Sequence, residues 1–424
     1  MTSNQDHKIL PDAAYGAAQA STEVSDLPAV FPRKMGPNAM KYLQEVVDSG
    51  LSSKIVARFE ETFAKAHGRR FCVASPGCTQ ALFALFLGLE FEPGDEVIVS
   101  PIADYGDLCG LLFENLVPVF CDTDADTGLI TAETIKPCIT DRTKAILAVN
   151  FFGLPCDFDP IMALAREHNI LVIEDVCQSI LATYKGRVSG SLADVATFSF
   201  DSEKTCGGDV GGALLLDDED LYNRIVNRAL SRGAKQFPGF GRKHIYRGSA
   251  LRMPQCTAAT CLANWEILPP QVENRIAMAG LLDSLIEDVP GVRVYRVPED
   301  RTHTYWMYGF RIDPEQFTCS TQDLAAQLKE AGIASCGLGM YYILPMGVPF
   351  LAENVAAGNY PFNTPVASRQ VDYDAERICP NAIDFMSDFI RWFWTEKYQS
   401  GHIHQIAGII REVCERNHRA GSKS

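Results

Sequence analysis

The chain has 424 residues, 47% of them hydrophobic and 21% charged, which excludes a disordered protein and leaves room for more than one domain. A net charge of -15 with no dense run of Lys or Arg excludes a nucleic-acid surface, which needs clustered cations to meet phosphates. Apolar stretches such as Ala81 to Leu89 fall well short of the roughly 20 residues that a membrane helix needs, and the polar start of the chain is unlike a secretory leader. A soluble, cytoplasmic protein without a membrane partner is expected. The fourteen cysteines are scattered singly, as at Cys72, Cys109, Cys121 and Cys261, and read as core thiols rather than disulfides. His402 and His404 lack a nearby Cys or His partner, so no metal site is expected.

In chain order, residues 1–29 carry no periodicity and read as a flexible N-terminal arm. Pro37 to Gly50 reads as a helix, with Met40, Leu43, Val46 and Val47 at helical spacing and Gly50 as its stop. Strand-length apolar runs follow at Phe71 to Ala74, Glu96 to Ser100, Pro118 to Cys121, Ala145 to Val149, Leu171 to Glu174, Val195 to Phe200 and Gly212 to Leu216. They are mostly apolar throughout rather than alternating, the mark of strands covered on both faces. Helices are predicted between them at Thr79 to Leu89, Asp107 to Asn115, Thr131 to Lys136 and Pro160 to His168. This alternation predicts an α/β fold in three layers, a mainly parallel seven-stranded sheet between helices. Glu219 to Ser231 and Pro254 to Leu268 read as further helices, and Pro269-Pro270 as a break before a helix from Glu273 to Asp288. Strands at Val292 to Val297 and Tyr305 to Ile312, then late helices, suggest a smaller α+β domain. The expected division is an arm at 1–29, a large domain at 30–268 and a small C-terminal domain at 269–424.

Ligands of open α/β sheets sit at the carboxyl ends of strands, and four candidate positions lie there. Ser75-Pro76-Gly77-Cys78-Thr79 turns into an apolar helix, where free amides and the Thr79 hydroxyl suit a phosphate, although such a start is also an ordinary cap. Tyr105 follows the second strand and either packs or lays its ring on a flat heteroaromatic. Asp175 ends a buried strand, where its carboxylate must either cap a helix or meet a cation such as a pyridinium N–H. Lys204 lies between Phe198-Ser199-Phe200 and the glycines Gly207, Gly208, Gly211 and Gly212. A lysine held so, beside room for a flat cofactor, is placed to form an imine with pyridoxal phosphate. Any one of these residues alone has a commoner structural reading. Together, in one βαβ domain, they match the parts of a pyridoxal phosphate enzyme.

From about Gly36 to Leu268 the chain resembles the DegT/DnrJ/EryC1/StrS sugar aminotransferases of the aspartate aminotransferase fold, transferase fold type I. The resemblance rests on Pro93-Gly94-Asp95-Glu96-Val97-Ile98-Val99, Thr140-Asp141-Arg142-Thr143-Lys144-Ala145-Ile146, Val172-Ile173-Glu174-Asp175, Tyr184-Lys185-Gly186-Arg187 and Phe198-Ser199-Phe200 with Lys204. It implies Lys204 as the imine lysine, Asp175 as the partner of the pyridine nitrogen and Gln178 beside the ring hydroxyl. By the same likeness Tyr105 is the stacking aromatic, and Cys78, Thr79 and Ser199 bind the cofactor phosphate. It also implies a homodimer with the active site at the interface and a place in amino-sugar biosynthesis. Related enzymes with histidine at the lysine position are dehydratases, so Lys204 favours amino transfer.

Four positions depart from the family pattern. Cys78 stands where a glycine is usual, Asn150 where a histidine is usual, and Val210 where an acidic residue is usual, with Asp209 shifted by one. Ala250 replaces an asparagine that reaches the neighbouring subunit's cofactor phosphate, for which Ser249 or Arg247 are substitutes. The expected reaction is ping-pong transfer of an amino group from L-glutamate to a keto sugar, nucleotide-linked or of the acidic octulosonate type. A cyclitol ketone, a sugar dehydration and a non-catalytic sensor that binds pyridoxal phosphate are the alternatives. Arg33, Lys34, His303, Trp306, Tyr341 and Tyr342 are candidates for the acceptor pocket.

Overall fold

The computed structural model describes residues 27–362 and 371–419. The expected arm falls largely on residues 1–26, outside the described residues. Seven strands form the central sheet: β1 (Phe71–Ser75), β2 (Glu96–Val99), β3 (Val117–Phe120), β4 (Thr143–Val149), β5 (Leu171–Asp175), β6 (Val195–Ser199) and β7 (Gly212–Leu216). Their spatial order is β1-β7-β6-β5-β4-β2-β3. Strands β3, β2, β4, β5 and β6 pair in parallel, whereas β7 runs antiparallel to both β6 and β1. Every residue of β2, β3 and β7 is buried, which is why those sequences, Glu96 apart, are apolar without alternation.

This arrangement gathers the functional ends of four elements on one edge of the sheet. Ser75 at the end of β1 and Ser199 at the end of β6 both pair with Gly212 at the start of β7. Gly212 is required there, because a Cβ at that position would lie 2.3 Å from the carbonyl carbon of Gly77. The close approach sets the turn Pro76-Gly77 against β7 and aims the helix Cys78–Leu89 at the sheet edge.

Beyond the sheet, β8 (Ala234–Phe237) and β9 (Gly241–His244) form a solvent-facing hairpin that sequence periodicity does not announce. A three-stranded antiparallel sheet follows, made by β10 (Val292–Val294), β11 (Met307–Ile312) and β12 (Phe389–Phe393). Residues from the helices Leu268–Ile286, Thr321–Glu330 and Ser400–Asn417 pack on it in one apolar cluster that includes Leu282, Leu328, Trp392 and Ile406. The expected break at Pro269-Pro270 is corrected by the structure: both prolines lie in the first turn of the helix Leu268–Ile286. The amides that proline lacks are unpaired in a first turn anyway, so the ring starts a helix as readily as it stops one. Among the described residues no helix is long and apolar enough to cross a membrane.

Candidate active site

Lys204 sits in the turn after β6, with its backbone N–H donating to the carbonyl of Asp201 at 2.9 Å. Its Nζ lies 4.3 Å from the centroid of the Trp306 ring, and among the described residues no carboxylate pairs with it. An ammonium held over an indole gains cation–π attraction yet stays free to react. The peptide before it is clamped from two sides. The carbonyl of Glu203 accepts from Arg33 Nη2 at 2.9 Å and from the Trp306 indole N–H at 3.2 Å. Arg33 is itself fixed by Glu396 at 2.9 Å, and the same Glu396 oxygen accepts from the fully buried Arg275 at 2.9 Å.

Asp175 ends β5 and is buried, with one carboxylate oxygen accepting the Cys177 N–H at 2.7 Å. No cation pairs with it among the described residues, which leaves its charge to be met by something brought into the site. The Cys177 thiol marks where the parts converge. The charges of Asp175 and Lys204 both act on it, and its Sγ lies 3.1 Å from Cys78 Sγ. The Cys78 Sγ also lies 3.2 Å from Thr197 Oγ1, so this thiol points towards β6. Gly77 adopts extended backbone before the helix, and no side chain caps it, which leaves the first amides available to an anion. Thr79 is half-buried beside Gly106, where an added Cβ would lie 2.7 Å from Thr79 Oγ1.

Gln178 is buried and its Oε1 accepts the Phe152 N–H at 2.6 Å. Ser199 is half-buried, and its hydroxyl accepts the Asp201 N–H at 3.3 Å. Tyr105 is 46% exposed at the start of the helix Gly106–Phe113, its ring edge-on to Phe350 at 6.2 Å. These residues supply an uncapped helix start, an unpaired buried carboxylate and an unpaired ammonium on one sheet edge. A phosphate, a protonated ring nitrogen and an imine-forming carbonyl are the chemical complements of that set, so the site fits pyridoxal phosphate.

The six acceptor candidates are placed unevenly. Trp306 lies against Lys204, and Tyr341 is 60% exposed with its ring 4.1 Å from that of the buried Tyr342. Arg33 serves the Glu396 and Glu203 contacts, and Lys34 is exposed. His303 is buried, accepting the Tyr305 N–H at 2.8 Å and stacking on that ring at 4.0 Å. Burial holds its imidazole neutral, with its pKa lowered to about 3.

Of two neighbours of Asp175, Asp107 escaped the sequence reading and Asn150 stood out there only as a departure from the family pattern. Asp107 lies in the first turn of the helix Gly106–Phe113, where an acidic residue looks like a simple response to the helix dipole. Instead it is buried beside Asp175, with Oδ2 left without a partner. Burial, and then the Asp175 charge, hold its carboxyl well above the usual range. Asn150, where the family has histidine, donates to Glu174 at 3.0 Å, and its Oδ1 accepts the Cys156 N–H at 3.0 Å.

Glu174 is fully buried and also accepts the N–H groups of Gly190 and Leu192, at 2.9 and 3.1 Å. Burial outweighs these donors and pushes its pKa up from 4.5 to about 7. The folded chain therefore holds a proton that the unfolded chain releases. The associated stability is full below pH 4.5 and is lost as pH rises through about 7. Glu174→Gln, neutral at every pH, is expected to flatten the fall in melting temperature between about pH 5 and 7.5. An unchanged slope in melts taken across that range would assign the dependence to other groups.

The chain belongs to the DegT/DnrJ/EryC1/StrS aminotransferase family, which it matches over residues 33–382. It is an aminotransferase. It is 32% identical over 319 residues to the GDP-perosamine synthase of Caulobacter vibrioides, covering 74% of this chain and 85% of that one. It is also 32% identical over 266 residues to the L-glutamine:2-deoxy-scyllo-inosose aminotransferase of Streptomyces fradiae, covering 60% of this chain and 62% of the other. The fold matches a solved aminotransferase from Psychrobacter cryohalolentis with a TM-score of 0.77 and 25% identity, over 92% of this chain and 100% of that one.

Proposed function

We propose that the protein transfers an amino group from L-glutamate to a keto sugar, using pyridoxal 5'-phosphate held at the edge formed by β1, β5 and β6. The observation that carries this reading is the Lys204 ammonium held beside Trp306 without a carboxylate partner among the described residues, near enough to the Cys177 thiol for its charge to act there, as the charge of Asp175 does. When bound, the cofactor supplies an electron sink for the bond broken at the amino acid Cα. The work of the chain is then to hold and to move protons. Lys204, with its amine free, would take the proton from the amino acid Cα as general base and give it back as general acid within the same half of the reaction. Asp175 holds the ring nitrogen protonated by its charge. Cys78, Thr79 and Ser199 hold the phosphate, Gln178 steadies the ring hydroxyl and Tyr105 covers the ring.

The acceptor is read as a keto sugar, nucleotide-linked or of the acidic octulosonate type, and Trp306, Tyr341 and Tyr342 are its proposed neighbours. A homodimer in the cytoplasm, with the active site at the subunit interface, belongs to the same reading. A cyclitol ketone is the second reading, favoured by the likeness to an enzyme named for a scyllo-inosose and for L-glutamine as donor. The test is the absorbance of the purified protein during titration with glutamate, then glutamine, followed by keto sugars and keto cyclitols. Bleaching of the cofactor band by one donor and its return with one acceptor class identifies both substrates. A band unmoved by either donor would reject amino transfer in favour of a sensor, and release of deoxygenated sugar without a donor would mark a dehydratase.

A further inference from the structure

Two sulfurs meet where the parts of the candidate site converge. Cys78 is the first residue of the helix Cys78–Leu89, whose opening amides have no side-chain cap. Cys177 lies in the turn after β5, between Asp175 and Gln178. The Cys177 thiol donates to Cys78 Sγ at 3.1 Å, and Thr197 Oγ1 lies 3.2 Å from the same sulfur. Both cysteines are half-buried and free, so a small reagent can reach them.

The two thiols are unequal. Loss of water around the Cys177 sulfur, and then its bond to Cys78, push its pKa well up and keep it protonated. Cys78 is on the receiving side of that bond and at a helix start, a setting in which thiols act as nucleophiles. A contraction of about 1 Å would bring the sulfurs from 3.1 Å to the length of a disulfide bond. The backbone at Cys78 has little room to give, because a Cβ on the neighbouring Gly212 would lie 2.5 Å from the Cys78 amide nitrogen. The contraction therefore falls on the two side chains and on the turn that carries Cys177. In that turn the Cys177 N–H holds the Asp175 carboxylate at 2.7 Å, and Gln178 is fixed to the Phe152 N–H at 2.6 Å. These are the residues that would meet the ring nitrogen and the ring hydroxyl.

We propose that Cys78 and Cys177 are an oxidation site, which a hydroperoxide converts to a disulfide, and that this bond lowers the affinity for the cofactor. The second half rests on the pyridoxal phosphate reading above, and the first stands on the thiols alone. Cys78 Sγ attacks one peroxide oxygen and the O–O bond breaks. The attacked oxygen stays on sulfur as a sulfenic acid, and the other leaves as water with the Cys78 proton. Cys177 Sγ then attacks Cys78 Sγ, the S–O bond breaks, and the hydroxyl leaves as water with the Cys177 proton. The thiol pair loses two electrons and one hydrogen peroxide is reduced to two waters. Excess dithiol reverses the change by exchange.

The test treats the full-length, cofactor-free protein with hydrogen peroxide, caps the remaining thiols and maps the peptides by mass. Affinity for pyridoxal phosphate is read before and after by fluorescence titration. A peptide linking Cys78 to Cys177 is expected, together with a rise in Kd of about 10-fold or more that dithiothreitol undoes. Cys177→Ser removes the second thiol, so dimedone should trap the sulfenic acid at Cys78 and no such link should form. Cys177→Ala serves if the serine variant fails to fold. Other cysteines also lie close together, Cys121 with Cys138, Cys206 with Cys261 and Cys319 with Cys414. Links confined to those pairs would overturn the assignment. A Cys78–Cys177 link that leaves the Kd unchanged would reject its effect on the cofactor. Reduced protein that takes up no cofactor would sink the pyridoxal phosphate reading, and the mapped link would still judge the thiol pair.

Discussion

Lys204→Ala is expected to lower turnover by about 10⁴-fold or more, because in the proposed reaction one amine both holds the cofactor and moves the proton in each half. The residues proposed to hold the phosphate and the ring nitrogen lie on other elements, Cys78 and Thr79 on the helix Cys78–Leu89 and Asp175 at the end of β5. The variant should therefore still bind pyridoxal phosphate, now without the imine band and released by dialysis. Added methylamine should restore a small part of the rate, which separates loss of the amine from collapse of the site. Near-normal turnover of Lys204→Ala at saturating cofactor would remove this lysine from the mechanism.

A second large effect is expected far from the chemistry. Arg275 is fully buried and donates to Glu396 at 2.9 Å, to the Tyr305 carbonyl at 2.6 Å and to the Trp306 carbonyl at 3.3 Å. Arg275→Met leaves Glu396 with Arg33 as its remaining cationic partner and strands the carbonyls of Tyr305 and Trp306. Removing one partner from a buried ion pair costs about 3–5 kcal/mol. Replacing both by apolar groups, as in Arg275→Met/Glu396→Leu, should cost clearly less than the two single changes summed. Urea and thermal midpoints of the four proteins decide this, and a single variant within about 1 kcal/mol of wild type would show that water replaces the contact.

Much of this architecture was legible in the sequence because the sheet is covered on both faces. Gly212 to Leu216 and Leu171 to Glu174 read as strands from mostly apolar runs, and the structure has them at Gly212–Leu216 and Leu171–Asp175. The antiparallel course of β7 left no such mark, since a buried strand looks alike in either direction. Strand β12 was also missed: Phe389-Ile390-Arg391-Trp392-Phe393 carries a charge in its middle and serves two cores at once, so neither simple pattern describes it. Within the candidate site, Lys204 and Asp175 stood out as a combination, a carboxylate and a lysine following neighbouring buried strands of one βαβ domain, since either alone has a commoner structural reading. The partners of Arg33 and Asp107 did not, because they lie far apart in the sequence and only folding brings them together.

The clamp on the Glu203 carbonyl bears on the order in which the molecule matures. Arg33 and Glu396 are separated by 363 positions, and Trp306 lies between them. During synthesis the peptide that carries Lys204 leaves the ribosome long before the segment holding Glu396. Its final setting therefore awaits synthesis of the segment that holds Glu396, and a nascent chain that has finished its large sheet still lacks the brace beside this lysine.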